Sequence, residues 1–243
     1  MRSDIISHLK SLTGEHDKLT QQNAMFALNM LARDPVNLSQ IINRDELLQI
    51  KNLLQIELKG NEKQKKEIIK QQENKCEFIT GILRSRFDEQ TRQEIIKIGI
   101  ANILLNIFAT RDFQTITLPF STGFGVLCTS CSQELIQLII NMNPYPQHFR
   151  LLDHSNQDIV RNASDLIHNF LCIGVNRTLD RGMVYEGSGP HPDYDLVVSC
   201  GGVQKIFDVF RKINNLEIKK GGFKIPEWKQ GEEFSDFDGK EFN

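Results

Sequence analysis

A pattern of apolar and polar positions occurs four times along the chain. Each copy opens with two adjacent apolar residues, passes through a polar break, and ends in an amphipathic stretch that closes on two further apolar residues. The copies begin at Ile41, Ile95, Ile139 and Val197 and align without gaps. A motif that recurs every few tens of residues indicates a solenoid, because one unit cannot bury its apolar face alone. The pattern therefore predicts stacked helical units with an extended surface.

A longer helix is predicted between the copies. Residues 20–32 and 158–172 both carry apolar side chains at the i, i+3, i+4, i+7 spacing of a helix that is buried on one side. Strand-like alternation is weak along almost the whole chain, which indicates an all-α fold. Two stretches are predicted to be insertions that lengthen the repeat: the Lys-, Gln- and Glu-rich residues 59–75, as a solvated helical hairpin, and the Gly- and Pro-rich residues 178–195, as a loop.

These units resemble the armadillo repeat, which has a short helix, a bend that often contains Gly, a second helix and a longer third helix. The best local matches are residues 95–108, 197–210 and 162–170. The resemblance implies an all-α fold, a right-handed α-solenoid of about four to five units, with HEAT repeats as the nearest alternative. It predicts a repeat domain over residues 1–215. The acidic, Phe-containing residues 216–243 are predicted to form a disordered tail.

The resemblance also implies a binding site. Armadillo proteins often bind an extended peptide along the groove of their third helices, where an Asn side chain hydrogen-bonds to the peptide backbone. Asn169 occupies that position here, and Asn162 and Asp165 lie on the same predicted helix, so these three are the expected partner-binding residues. The other copies have different residues at the Asn position, namely Met30, Ile82 and Thr129.

Composition narrows the classes of partner. The formal net charge is −2, which does not favour nucleic acid or an anionic membrane surface. No apolar run approaches the roughly 18 residues of a membrane span, and the N-terminus does not resemble a secretory signal. The five cysteines are odd in number and irregularly spaced, as expected for reduced thiols in an intracellular protein. We therefore expect a cytoplasmic or nuclear protein without a nucleic-acid or membrane partner.

Two sequence features leave an enzyme or a redox or metal protein open as the alternative. Cys128 and Cys131 form a C-x-x-C, which can support redox chemistry when a thiolate is exposed, but two cysteines cannot supply four zinc ligands. The loop 178–195 contains groups able to act in catalysis, namely Glu186, His191, Asp193 and Tyr194. His148 falls at an apolar position of the repeat and is predicted to be a hydrogen-bonded core residue.

The leading functional prediction is a protein-interaction scaffold or adaptor without catalysis and without a cofactor. Stacked helices give a rigid surface on which a partner loses little conformational entropy. GTPases, chaperones and cytoskeletal proteins are all within the range of partners that the armadillo resemblance implies. The repeat pattern starts and stops inside a unit, so we expect either one piece of a longer scaffold or end helices that serve as caps, and an uncapped end would allow self-association.

Overall fold

A computed structural model of the chain describes residues 2–15, 17–84, 88–129, 132–180 and 191–219. These residues are almost entirely helical, and no strand occurs among them. The chain forms two compact units, Met1–Val203 and Gln204–Asn243. The first unit contains the repeats and the candidate site.

Thirteen α-helices and one short 3-10 helix are present in the described residues. In chain order the α-helices are α1 (Arg2–Leu12), α2 (Lys18–Leu31), α3 (Pro35–Ile41), α4 (Arg44–Leu54), α5 (Glu62–Leu83), α6 (Glu89–Ile98), α7 (Ile100–Thr110), α8 (Leu118–Cys128), α9 (Gln133–Ile140), α10 (Tyr145–Leu151), α11 (Gln157–Asp180), α12 (Tyr194–Ser199) and α13 (Gly202–Lys219). The 3-10 helix, Phe113–Thr115, lies between α7 and α8.

These helices group into three-helix units that stack on one another. The complete units are α3-α4-α5, α6-α7-α8 and α9-α10-α11, preceded by α1 and α2 and followed by α12. The third helices α2, α5, α8 and α11 each pack on the next in that order, and the second helices α4, α7 and α10 do the same. This layered packing is that of an α-solenoid, so the predicted all-α solenoid is confirmed.

The bend between the first and second helix of a unit is left-handed in three of the four copies. Gly99 has φ of 95°, Gly201 has φ of 69°, and Asn143 has φ of 50°. Gly adopts this conformation readily because it has no Cβ to clash with the following carbonyl, and Asn because its short polar side chain can hydrogen-bond locally. The first copy differs, since Asp45 lies inside α4 and the bend is made instead by Asn43, whose side chain accepts a hydrogen bond from the Glu46 N–H at 2.9 Å.

The core runs between the second and third helices as a line of aromatic side chains. Phe108, Phe124, His148, Phe170 and Tyr145 are fully or almost fully buried, and their rings meet edge to face or tilted at 5.0 to 6.0 Å. Aromatic pairs in these arrangements contribute roughly 0.5–1.5 kcal/mol beyond the area they bury. This core fixes the spacing of the third helices and therefore the width of any groove between them.

Most of residues 59–75, predicted as a solvated edge of a helical hairpin, are helical in the structure. Residues 62–75 are the N-terminal part of the single 22-residue helix α5, capped by Asn61 through a capping box with Gln64. Gln72 within this stretch is fully buried and donates to the carbonyl oxygens of Leu53 and Leu54 at the end of α4. The Gln72 amide therefore ties α5 to the C-terminal end of α4, where the Leu53 oxygen also accepts from the Ile56 N–H at 3.2 Å.

The predicted tail is only partly within the described residues. The helix α13 continues to Lys219, so residues 216–219 of the predicted tail are helical. Residues 220–243 and most of the loop 178–195 lie outside the described residues. No single described helix has the length and apolar character of a membrane span, although α6 and α7 together pass that test as a pair bent by 58°.

Candidate functional site

A groove runs across three successive third helices. It has a volume of about 470 Å³ and lies between α5, α8 and α11. Thr80 of α5 and Arg84 directly after it line the groove, as do Thr122 of α8 and Thr129 directly after that helix. We call this feature the third-helix groove. Each of the three Thr hydroxyls donates to a carbonyl of its own helix, so it offers a ligand an acceptor.

The predicted partner-binding residues all line the third-helix groove from α11. Asn162, Asp165 and Asn169 follow one another at three and four residues, so they share one stripe of the helix. The adjacent face of α11 is apolar and buried, as Leu166 and Phe170 show. Because the helix must bury that face against the core, the polar stripe is left on the groove side.

The three side chains differ in the hydrogen bonds that they make to other residues. The Asn162 amide donates to the Ser121 hydroxyl of α8 at 3.3 Å. Asp165 is exposed and Asn169 is half-buried, and neither side chain makes a hydrogen bond to another described residue. Asn169 therefore presents both a free donor and a free acceptor to the groove, which is what pairing with a peptide unit requires.

The residues equivalent to Asn169 do not all reach the groove. Ile82 of α5 is fully buried, while Met30 of α2 is 41% exposed and Thr129 of α8 is exposed in the groove. On α5, Thr80 and Arg84 face the groove instead. Sequence comparison among the copies missed these two residues, because it assumed one helical rotation for every third helix. The four-residue spacing of Thr80 and Arg84 around a buried Ile was the available signal.

A Cys–His pair on the same helix was also missed. The Cys172 thiol lies 3.5 Å from His168 Nε2, one turn apart on α11, and both side chains are exposed. His168 lines the third-helix groove. No group of three or more His, Cys, Asp or Glu residues able to hold a metal ion occurs in the described part of the chain.

The surroundings of Cys128, the described cysteine of the C-x-x-C, do not favour redox chemistry. Cys128 is buried at the end of α8, and its Sγ donates to the carbonyl oxygen of Phe124 at 3.7 Å. Redox chemistry requires an accessible thiolate, which burial disfavours. Cys131 lies outside the described residues.

The described end of the loop 178–195 is tied to the helices by hydrogen bonds. His191 Nε2 donates to the carbonyl oxygen of Leu171 at 2.8 Å, and its Nδ1 accepts from the Asp193 N–H at 3.0 Å. The buried Asp193 carboxylate accepts from the Tyr145 hydroxyl at 2.8 Å. Both ring nitrogens of His191 are thus occupied by backbone groups, which indicates an anchoring role. Tyr194 is exposed, and Glu186 lies outside the described residues.

His148 is a core residue, as its place in the repeat predicts. It is 1% exposed, and its Nδ1 donates to the carbonyl oxygen of Pro144 at 2.7 Å. Its Nε2 is buried without a hydrogen-bond partner. Burial lowers the pKa of His148 to about 4, against a weaker opposing effect of the Pro144 hydrogen bond.

Comparison with known proteins identifies the fold. Neither protein-family models nor curated protein sequences gave a match, whereas 66 chains of solved structures match the fold. One is the crystal structure of an engineered protein, with a TM-score of 0.52 and 17% identity, covering 84% of this chain and 71% of that one. Computationally designed armadillo repeat proteins for modular peptide recognition match with a TM-score of 0.45 and 17% identity, over 76% of this chain and 71% of theirs.

The repeated three-helix units, their left-handed bends and the stacked third helices together constitute an armadillo-like helical repeat fold. The resemblance seen in the sequence is therefore confirmed at the level of the fold. At these identities the solved structures show the fold alone.

Proposed function

We propose that this protein is a non-catalytic scaffold that binds a peptide segment of a partner protein in the third-helix groove. The observation that carries the proposal is the convergence of Asn162, Asp165 and Asn169 from α11 with hydroxyl-bearing residues from α5 and α8 on one groove. The designed armadillo proteins that match this chain are described as recognising peptides, which agrees with this proposal but does not carry it.

The chemistry of the groove suits binding better than catalysis. Beside Arg84, Asp165 and His168, its lining supplies the Asn162 and Asn169 amides, which donate and accept hydrogen bonds without changing protonation state. A peptide backbone offers one N–H and one C=O per residue, so it can pair with such a surface whatever its side chains are. A cytoplasmic or nuclear location, and the absence of nucleic-acid and membrane partners, belong to the same proposal.

The test is a peptide selection on the intact chain. A displayed library of random peptides is selected on the immobilised protein, and the strongest peptide is labelled with fluorescein for anisotropy measurements. We expect Asn169→Ala to weaken binding by about tenfold, because two hydrogen bonds to the backbone contribute roughly 0.5–1.5 kcal/mol each. Asn52→Ala on the exposed surface of α4 is the matched control and leaves the Kd unchanged.

Two results would contradict the proposal. One is a selection that enriches no peptide above an unrelated helical protein. The other is an enriched peptide whose Kd responds equally to Asn169→Ala and Asn52→Ala, because such a peptide binds elsewhere.

Self-association through an uncapped end is a separate part of the proposal. The helix α2 buries Ala24 and Leu28 but exposes Leu19, Phe26 and Met30 on its opposite side. An exposed apolar stripe of this kind favours association. Sedimentation velocity over a concentration series tests this: a dimer that Phe26→Glu abolishes supports it, and a monomer at all concentrations contradicts it.

A further inference from the structure

A second cavity adjoins the third-helix groove. It has a volume of about 760 Å³ and is bordered by α2, α3, α4 and α6. Arg84, directly after α5, lines both this cavity and the third-helix groove. The two cavities therefore meet at Arg84, and we call them together the path. Arg33 and Arg44 also line the second cavity.

Two of these three arginines have no acidic partner among the described residues. Arg33 and Arg84 are exposed, and within the described part of the chain their guanidinium groups make no ion pair and no hydrogen bond. Arg44 is 4.0 Å from Glu94 across an exposed surface. A guanidinium without a partner is available for bidentate pairing with a carboxylate from another molecule.

The acidic residues that line the second cavity already have hydrogen-bond or ion-pair partners. Asp88 caps α6 by accepting hydrogen bonds from the Thr91 N–H at 3.1 Å and the Thr91 hydroxyl at 2.9 Å. Glu94 is the partner of Arg44. Neither carboxylate is therefore directed to Arg33 or Arg84, and this end of the path keeps an excess of positive charge.

The other end of the path carries negative charge. Asp165 is the acidic residue that lines the third-helix groove, and it is exposed with no ion pair to another described residue. The path thus runs from cationic at Arg33 and Arg84 to anionic at Asp165. Charges of fixed sign at the two ends select both the composition and the direction of a bound chain.

We propose that the occupant is a peptide segment with acidic side chains at one end and a lysine or arginine toward the other. The acidic side chains pair with Arg84 and Arg33, and the basic side chain pairs with Asp165. This inference rests on the proposed function, because it assigns charge to the peptide that lies in the same groove. It assigns no role to Arg44, whose guanidinium is directed to Glu94.

The test uses defined peptides rather than selected ones. The first probe is a fluorescein-labelled peptide with a block of glutamates, a Gly-Ser spacer and a block of lysines. Its two companions replace either the glutamates or the lysines by glutamine. Binding to the intact chain is measured by anisotropy at low and at high salt. We expect the glutamate-containing probes to bind, and their affinity to fall with salt because the paired charges are exposed.

Protein variants locate the contacts. We expect Arg33→Glu with Arg84→Glu to weaken both glutamate-containing probes by about tenfold, and Asp165→Asn to weaken only probes that contain lysine. The matched control is Arg161→Glu on α11, which is 73% exposed, is paired with Asp158 and lies outside both cavities. Circular dichroism of each variant verifies that the helices remain folded.

Three outcomes would overturn the inference. The first is failure of all glutamate-containing probes to bind. The second is an equal loss with Arg161→Glu, which would indicate a general electrostatic field. The third is tighter binding of single-stranded polyuridine that displaces the probe, which would assign the arginines to nucleic acid. If display-selected peptides still depend on Asn169 in any of these cases, the proposed function stands and the charge assignment alone is wrong.

Discussion

Arg92 donates a hydrogen bond from Nε to the carbonyl oxygen of Val126 at 3.1 Å, which joins α6 to the C-terminal end of α8. The same guanidinium donates to the carbonyl oxygen of Leu83, the last residue of α5, at 3.0 Å. Arg92 is fully buried. One side chain thus satisfies carbonyls at the ends of two stacked third helices, where unpaired oxygens and the helix dipole both favour a cation.

Replacing Arg92 by Met is expected to destabilise the fold by about 3–5 kcal/mol. The substitution leaves buried carbonyl oxygens without donors, and such groups cost roughly 1–3 kcal/mol each. Urea denaturation followed by circular dichroism gives the free energy of unfolding. Arg44→Met, at a side chain 74% exposed, is the matched control and is expected to change it by less than about 0.5 kcal/mol. A similar small change for Arg92→Met would show that water replaces its hydrogen bonds.

The free energy of unfolding is expected to decrease as the pH is lowered, because of His148. Burial lowers its pKa from the ordinary 6.5 to about 4 in the folded chain, so the folded state resists a proton that the unfolded chain accepts. The contribution is therefore fully present above pH 6.5 and is lost as pH falls toward 4. The pKa difference corresponds to about 3 kcal/mol.

The variant His148→Leu isolates this effect. Leucine matches the apolar character of the equivalent position in another copy, Leu104. We expect the slope of unfolding free energy against pH between 6.5 and 4 to become smaller in this variant, whereas His8→Leu at an exposed site keeps it. An unchanged slope in His148→Leu would mean that other groups govern the acid sensitivity.

Alanine substitutions at two equivalent positions in the repeat are expected to lower the free energy of unfolding by different amounts. Leu104 is fully buried in α7, so Leu104→Ala should cost about 2–5 kcal/mol. The sequence alone predicts the same cost for Ile206, but Ile206 is only half-buried. We therefore expect Ile206→Ala to cost less than about 2 kcal/mol, because the loss scales with the apolar area buried. Thermal or urea denaturation of the two variants in parallel provides the comparison, and equal costs would contradict it.

The thiols are expected to react at different rates in the native state. Cys172 is exposed beside His168, whereas Cys76 and Cys128 are buried, and burial raises the pKa of the Cys76 thiol. A small disulfide reagent should therefore modify Cys172 rapidly and the two buried thiols only on unfolding. Cys172→Ser should reduce the number of thiols modified in the fast phase of the reaction by one. Cys76→Ser should leave that number unchanged. Rapid modification of Cys128 would revive the redox alternative.

Local signals in the chain predicted several features of the fold correctly. The bends at Gly99 and Gly201 and the packed face of α11 follow from residue type and helical spacing, which act over a few residues. His148 was recognisable as a core residue because it occupies an apolar position in a repeated pattern. Such features recur in every copy, so one copy supports the interpretation of another.

The spacing of apolar residues along the chain is enough to predict a stack of helical units, because each unit's apolar stripe needs a neighbour. Which polar residues are buried and which line the groove depends instead on packing between distant segments. Arg92 and Gln72 are buried because helix ends from other parts of the chain supply their carbonyl partners. Arg84 lines the groove while the neighbouring Ile82 is buried, because α5 packs on both α2 and α8. This packing depends on side chains that are distant in sequence, so no local pattern encodes it.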